Sequence, residues 1–166
     1  MEIVVNDTNI LIDLSNAGLL QHCKVLNLDF RTIDFVMEEI SDKKQREAVD
    51  KIIEEGTLKV YSLDGIMMRK VFEKIAIYKG KSNISHTDAS VMVYAKENDC
   101  RLLTGDRKLR NTAENENVKV SGILYIIDEL TGKIDNKLLL KSLELLQQSN
   151  NRLPQNLISE RMEKLK

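Results

Sequence analysis

Four acidic residues stand where a folded chain can bring them together: Asp7 in VVNDTNILIDL, Glu39 in DFVMEEI, Asp88 in SHTDASVMVYA and Asp106 in LLTGDRKLR. Asp7 and Asp106 each follow a short apolar run of strand type, whereas Glu39 and Asp88 fall in the first turns of helix-period segments. Carboxylates gathered in one cleft have a definite chemistry. Two like charges about 4 Å apart repel by roughly 4 kcal/mol at an effective dielectric near 20, and a domain is stable by only about 5–15 kcal/mol. Such a cluster must therefore take up protons or bind cations. All-oxygen donors suit Mg2+ or Mn2+. Two such ions about 3.5–4 Å apart can activate a water and clamp the attacking and leaving oxygens of a phosphodiester.

Each acid also has a plain structural account. An Asp after a strand is a common helix N-cap. Asp88 lies three residues after Ser85, the spacing of a capping box. Asp106 reads as a turn residue and Glu39 as a solvated helix residue, with Glu38 competing for its role. Glu39 is preferred because it directly precedes the apolar Ile40. From the residues alone, the capping account and the metal-site account both stand.

The elements that must position these acids follow from the hydrophobic pattern. Strand-like runs fall at Ile3–Val5, Phe30–Ile33, Thr57–Leu63, Arg101–Thr104 and Val118–Val120. Helix-period stretches separate them. Residues 8–27 read as two helices broken at Gly18. One helix is expected from Phe35, capped by Asp34, through the DKKQRE stretch towards Ile53. The run Ala89–Ala95 is apolar nearly all round and predicts a buried central helix. From Gly122 onward the pattern is helical, with breaks at Thr131-Gly132 and around Pro154. Strands alternating with helical crossovers predict an α/β fold with a parallel sheet covered on both faces. In such sheets the ligand crevice lies beyond the carboxyl ends of the strands, which is where all four acids are expected.

Composition narrows the class. The chain has 166 residues, 42% hydrophobic and 31% charged, with a net charge of −1 and a pI near 6.2. These values fit one globular domain and lack the strongly basic balance of many nucleic-acid binders. Cys23 and Cys100 have no metal-site spacing and read as buried thiols. No apolar run reaches the ~18 residues of a membrane span and no signal peptide is recognised, so a cytoplasmic protein is expected.

VNDTNILIDL, FVMEEI and ISHTDASVMVYAKENDCRLLTGDRKLR together resemble the PIN-domain ribonucleases. The matching features are Asp7-x-Asn9, a Glu before an aliphatic residue, Asp88-Ala89 opening a buried helix, and Leu102-Leu103-Thr104-x-Asp106. The resemblance runs from residue 3 to about 121. It implies a three-layer α/β/α sandwich with a mainly parallel sheet and Mg2+- or Mn2+-dependent hydrolysis of RNA phosphodiesters. Asp7, Glu39, Asp88 and Asp106 would be the catalytic metal ligands, and Asn9 and Thr104 the polar residues supporting them. Many small members are VapC-like toxins that form homodimers and pair with an antitoxin protein. Residues 1–132 would be the PIN domain. The remaining segment, 133–166, extends beyond the shortest toxins and is similar to the extra helices of predicted nucleic-acid-binding PIN proteins. Leu138, Leu139, Leu143 and Leu146 give it an apolar helical face for packing on the domain or a partner.

Other assignments are weaker. Arg107, Lys108 and Arg110 flank Asp106, and Lys79 and Lys81 precede Ser85; either group can hold phosphates or simply face water. Aromatic residues make up 4%, too few for an extended base-stacking platform. His22 and His86 are not read as catalytic, and Asp13, Asp64, Asp128 and Glu129 read as surface or turn residues. A haloacid-dehalogenase-type phosphatase needs an acid at position 9, which is Asn9, and neither a dinucleotide-binding nor a Walker glycine motif is present. The alternative from a different class is a catalytically silent PIN-fold module that binds RNA or protein.

Overall fold

The apolar run near the N-terminus becomes the central strand. In the computed structural model, which describes residues 1–166, β1 (Glu2–Asn6) is flanked on both sides, with Val4 and Val5 fully buried. Its neighbours are β2 (Leu28–Ile33) and β4 (Arg101–Leu103), and the edges are β3 (Lys59–Tyr61) and β5 (Val120–Ser121). The order is β3-β2-β1-β4-β5 and every pairing is parallel. All five expected strand regions are strands.

Helices α1 (Thr8–Asn16), α2 (Asp34–Glu39), α3 (Lys43–Glu54), α4 (Gly65–Tyr78), α5 (His86–Glu97) and α6 (Arg107–Asn115) connect them. Then α7 (Ile123–Leu130), α8 (Asn136–Ser149) and α9 (Gln155–Leu165) follow β5. Helices α3, α7 and α8 pack with α1, while α4 and α6 pack with α5. With the sheet between the two groups, the fold is the expected three-layer α/β/α sandwich. Gly18, at φ +70°, lets the chain turn sharply after α1 into a short 3-10 helix, Leu20–Val25. Every residue of Ala89–Ala95 is buried, as its apolar pattern predicts, and α5 packs on β1 and β4.

One expected helix is two. The segment read as continuous from Phe35 towards Ile53 breaks between α2 and α3. Ile40 leaves the helix with ψ 92° and is 3% exposed, so the core captures its side chain at the break. Asp42 then restarts the chain by capping α3 through the Gln45 N–H at 2.9 Å. Arg46 donates to the Met37 carbonyl at 2.8 Å, satisfying a terminal carbonyl of α2. The break corrects the position of Glu39: it ends a six-residue helix instead of lying early in a long one.

Leu139, Leu143 and Leu146 of α8 and Ile158 and Leu165 of α9 belong to the same hydrophobic cluster as the strands. Two polar contacts fasten the same segment. The Asn150 amide donates to Asp13 Oδ2 at 3.0 Å, and Arg161 pairs bidentately with Asp128 at 2.7 and 2.9 Å. Asp13 is therefore 7% exposed, not the surface residue that its position suggested; the C-terminal segment covers it. Cys23 and Cys100 are buried free thiols. The fully buried Leu143 gives a direct measure of this packing. Leu143→Ala should cost about 2–5 kcal/mol of unfolding free energy in urea titrations; a loss under about 0.5 kcal/mol would mean that α8 contributes little to the core.

Candidate metal centre at the sheet edge

Strand order reverses between β1 and β4, so the crevice of a parallel sheet opens beyond their carboxyl ends. Asp7 leaves β1 at this point. Its N–H still bonds the Leu103 carbonyl of β4 at 2.9 Å, and Asn6 ties the strand end to β2 by donating to the Arg31 carbonyl at 3.0 Å. The Asp7 carboxylate is thus delivered by rigid backbone, and only 4% of the residue is exposed.

Two threonines link this carboxylate to the other acids. The Thr104 hydroxyl donates to Asp7 Oδ2 at 2.7 Å and accepts the Asp106 N–H at 3.1 Å. The Thr8 N–H donates to Asp7 Oδ1 at 2.8 Å, while its hydroxyl donates to Glu39 Oε1 at 2.7 Å. Asn9 Oδ1 accepts the Gly105 N–H at 3.0 Å and so pins the turn that carries Asp106. Asp88 sits at the N3 position of α5 in a complete capping box with Ser85.

The charges feel one another. Burial, first of all, pushes the Asp7 carboxyl up to about 6; the charges of Asp88 and Glu39 push the same way, against the hydrogen bonds from Thr104 and Thr8. Asp88 is also raised, chiefly by burial, with the charges of Asp106 and Glu39 adding to it. Asp7, Glu39, Asp88 and Asp106 thus lie near enough to act on one another through their charges. Glu39, not Glu38, is the acid that bonds Thr8 and acts on both aspartates.

The capping roles are also real. Asp7 and Asp106 are the N-caps of α1 and α6. Asp106 spends Oδ1 on the Leu109 N–H at 3.0 Å, Asp88 uses Oδ2 weakly at 3.4 Å, and Glu39 uses Oε1. The second oxygen of each makes no hydrogen bond. No group of three His, Cys, Asp or Glu side chains is drawn together tightly enough to hold a metal directly. Carboxylate oxygens are nonetheless the donor type that Mg2+ and Mn2+ take. Mg2+ keeps several waters and is usually bound through one or two carboxylates plus substrate phosphate, which an open row of acids allows.

Sequence reasoning assigned no role to Thr8 or Asn6. The only signal for Thr8 was a hydroxyl inside the DTN triplet, and its bond to Glu39 spans 31 positions. Arg107 and Lys108 are exposed and Arg110 is half-buried beside Asp106, whereas Lys79 and Lys81 are exposed before α5. His86 packs edge-on against Phe35, with ring centroids 4.9 Å apart, and His22 lies in the 3-10 helix.

The fold and this row of acids define an α/β protein with a candidate metal crevice at its strand ends. A family model described as a PIN domain matches residues 3–166, and the chain belongs to that family. Among solved structures it is similar to VapBC2 from Rickettsia felis bound to a DNA fragment from their promoter, with TM-score 0.54 and 18% identity over 72% of this chain and 98% of that one. It is also similar to PAE2754 from Pyrobaculum aerophilum, with TM-score 0.53 and 14% identity over 79% and 97% of the two chains. FitAcB from Neisseria gonorrhoeae gives TM-score 0.51 and 12% identity over 74% and 99%. No curated protein matches the sequence.

The buried Asp7 gives a pH signature. Its folded carboxyl, near 6, holds a proton more tightly than an unfolded Asp near 3.8. Its contribution is complete below about pH 4 and is lost as the pH rises through about 6. Asp7→Asn should therefore raise the stability of the metal-free protein at pH 7–8 by about 1–3 kcal/mol. The gain should shrink towards pH 4 in chemical unfolding. A variant less stable than wild type at pH 8 would show that the Asp7 charge is well compensated.

Proposed function

We propose that this PIN-domain protein is a metal-dependent endoribonuclease. The observation that carries the reading is geometric: the Asp7 carboxylate, 4% exposed at the end of the central strand, is tied through Thr8 to Glu39 and through Thr104 to the Asp106 turn. Asp7, Glu39, Asp88 and Asp106 would hold Mg2+ or Mn2+. The bound ions would neutralise the phosphodiester and lower the pKa of an attacking water. The chain's own residues do the positioning. Thr8 fixes Asp7 relative to Glu39, Thr104 fixes Asp7 relative to the Asp106 turn, and Asn9 anchors that turn. Asp88 projects from the first turn of a helix locked in the core.

The likeness to VapBC2 and FitAcB supports placing the protein with VapC-like toxins, cytoplasmic and held by an antitoxin over the acidic crevice. Homodimer formation is part of the same reading, and the exposed Ile66, Phe72 and Ile77 of α4 offer apolar surface for a second copy. No helix is long and apolar enough to cross a membrane. One observation favours a second reading, a catalytically silent binding module: the acids are not pre-closed into a cage.

Incubation of the full chain with total RNA and Mn2+ decides between them. Cleavage is expected with Mn2+, and it should vanish with EDTA and in Asp88→Asn. Absence of cleavage together with an unchanged melting temperature in millimolar Mn2+ selects the silent module.

A further inference from the structure

A second cleft adjoins the row of acids. It has a volume of about 970 Å³ and shares Thr104, Gly105 and Asp106 with that row. Its far wall is the C-terminal segment, through Arg152, Leu153, Pro154, Leu157 and Arg161. The size lies within the range of small-ligand sites, about 300–1,000 Å³.

The charges of this cleft are unusual for so balanced a protein. Arg107, Lys108, Arg110, Arg152 and Arg161 all line it, against three acids, Asp13, Asp106 and Asp128. Of the cations, only Arg161 has a carboxylate partner, Asp128. Arg110 is half-buried and lies over Gly122. A Cβ added there would meet its Nη2 at 3.3 Å, so the absence of a side chain makes room for the guanidinium at the end of β5. Arg152 is exposed, but its backbone is fixed. Its N–H donates to Asn150 Oδ1 at 3.1 Å, and the same amide is anchored to the buried Asp13. Two guanidinium groups from distant parts of the chain thus line one cleft. The aliphatic Leu153 and Leu157 line the same cleft.

We propose that this cleft is the subsite for the RNA strand on one side of the scissile phosphate. Arg110 and Arg152 hold a backbone phosphate, and the Leu153–Leu157 wall receives the adjoining base. The assignment rests on the nuclease reading and goes beyond it, because it makes residues 150–161 part of substrate recognition. Charge complementarity selects the occupant. Unpaired cations line a cleft that runs into a row of acids, as a polyanion reaching a metal-neutralised phosphate requires. Guanidinium groups match phosphate oxygens in bidentate geometry, and such contacts position a strand without reading its sequence.

The test is fluorescence anisotropy of a short labelled single-stranded RNA against the full-length protein in EDTA, over a range of salt. The same proteins are assayed for Mn2+-dependent cleavage. Arg152→Glu and Arg110→Gln should each weaken binding by about fivefold or more and lower the salt slope by about 0.7 for each phosphate that is no longer neutralised. Both should raise KM with little change in kcat, and melting temperatures should stay at the wild-type value. Arg110→Lys should retain more binding than Arg110→Gln, which separates charge from packing. Lys43→Glu, on exposed α3 surface, should bind as wild type. If wild type cleaves RNA while both arginine variants keep its affinity and salt slope, the subsite is wrong and the nuclease reading survives. Competition by polyglutamate as strong as that by unlabelled RNA also overturns the assignment, in favour of an acidic protein segment. If wild type neither binds nor cleaves RNA with Mn2+, the nuclease reading itself fails.

Discussion

The structure has to accommodate a carboxylate at the end of its central strand. Asp7 follows β1, which is hydrogen-bonded on both sides, and the residue is almost wholly buried. Burying such a charge costs several kcal/mol unless hydrogen bonds compensate it. Here the compensation comes from a backbone N–H and a threonine hydroxyl, and it is incomplete, because the carboxyl remains raised. The surrounding acids make the position harder to hold. In the function proposed above, a cation from outside the chain would complete that compensation.

Helix termini explain how the row of acids is tolerated meanwhile. Helices α1, α5 and α6 all begin beside it, after Asp7, Ser85 and Asp106 respectively. Each N-terminus carries roughly half a positive charge from its aligned peptide dipoles. Capping and a metal role are therefore not rivals. One oxygen of Asp106 satisfies the first turn of its helix, and the other is left for the crevice; Asp88 divides its oxygens similarly.

Much of the sheet and its edge was legible in the sequence because it is written in local signals. Apolar runs marked all five strands. The placement of Asp7 and Asp106 followed from the rule that parallel strands end at one crevice. The capping box at Ser85 and Asp88 was visible from its spacing, and α5 from its unbroken apolar face. What could not be read was set by contacts far apart in the chain. The split between α2 and α3 depends on where the core draws in Ile40. Thr8 meets Glu39 across 31 positions, and Asp13 meets Asn150 across 137. No periodicity encodes such meetings. The basic cluster after Asp106 was visible as a group, but Arg152 as a lining residue of the same cleft was not, since it lies more than forty positions further along the chain.

The anchoring of Asn150 to Asp13 also bears on the order in which the molecule is assembled. Contacts between distant parts of a chain form late, since a large loop must close before they stabilise anything. The strands and the four acids lie early in the chain, whereas the basic wall waits until Asn150 and Arg152 have been made and docked. A nascent chain can thus complete its acidic row well before it has a finished cleft beside it. The C-terminal segment would then be the part that finishes this cleft, after the sheet and its acids have been made.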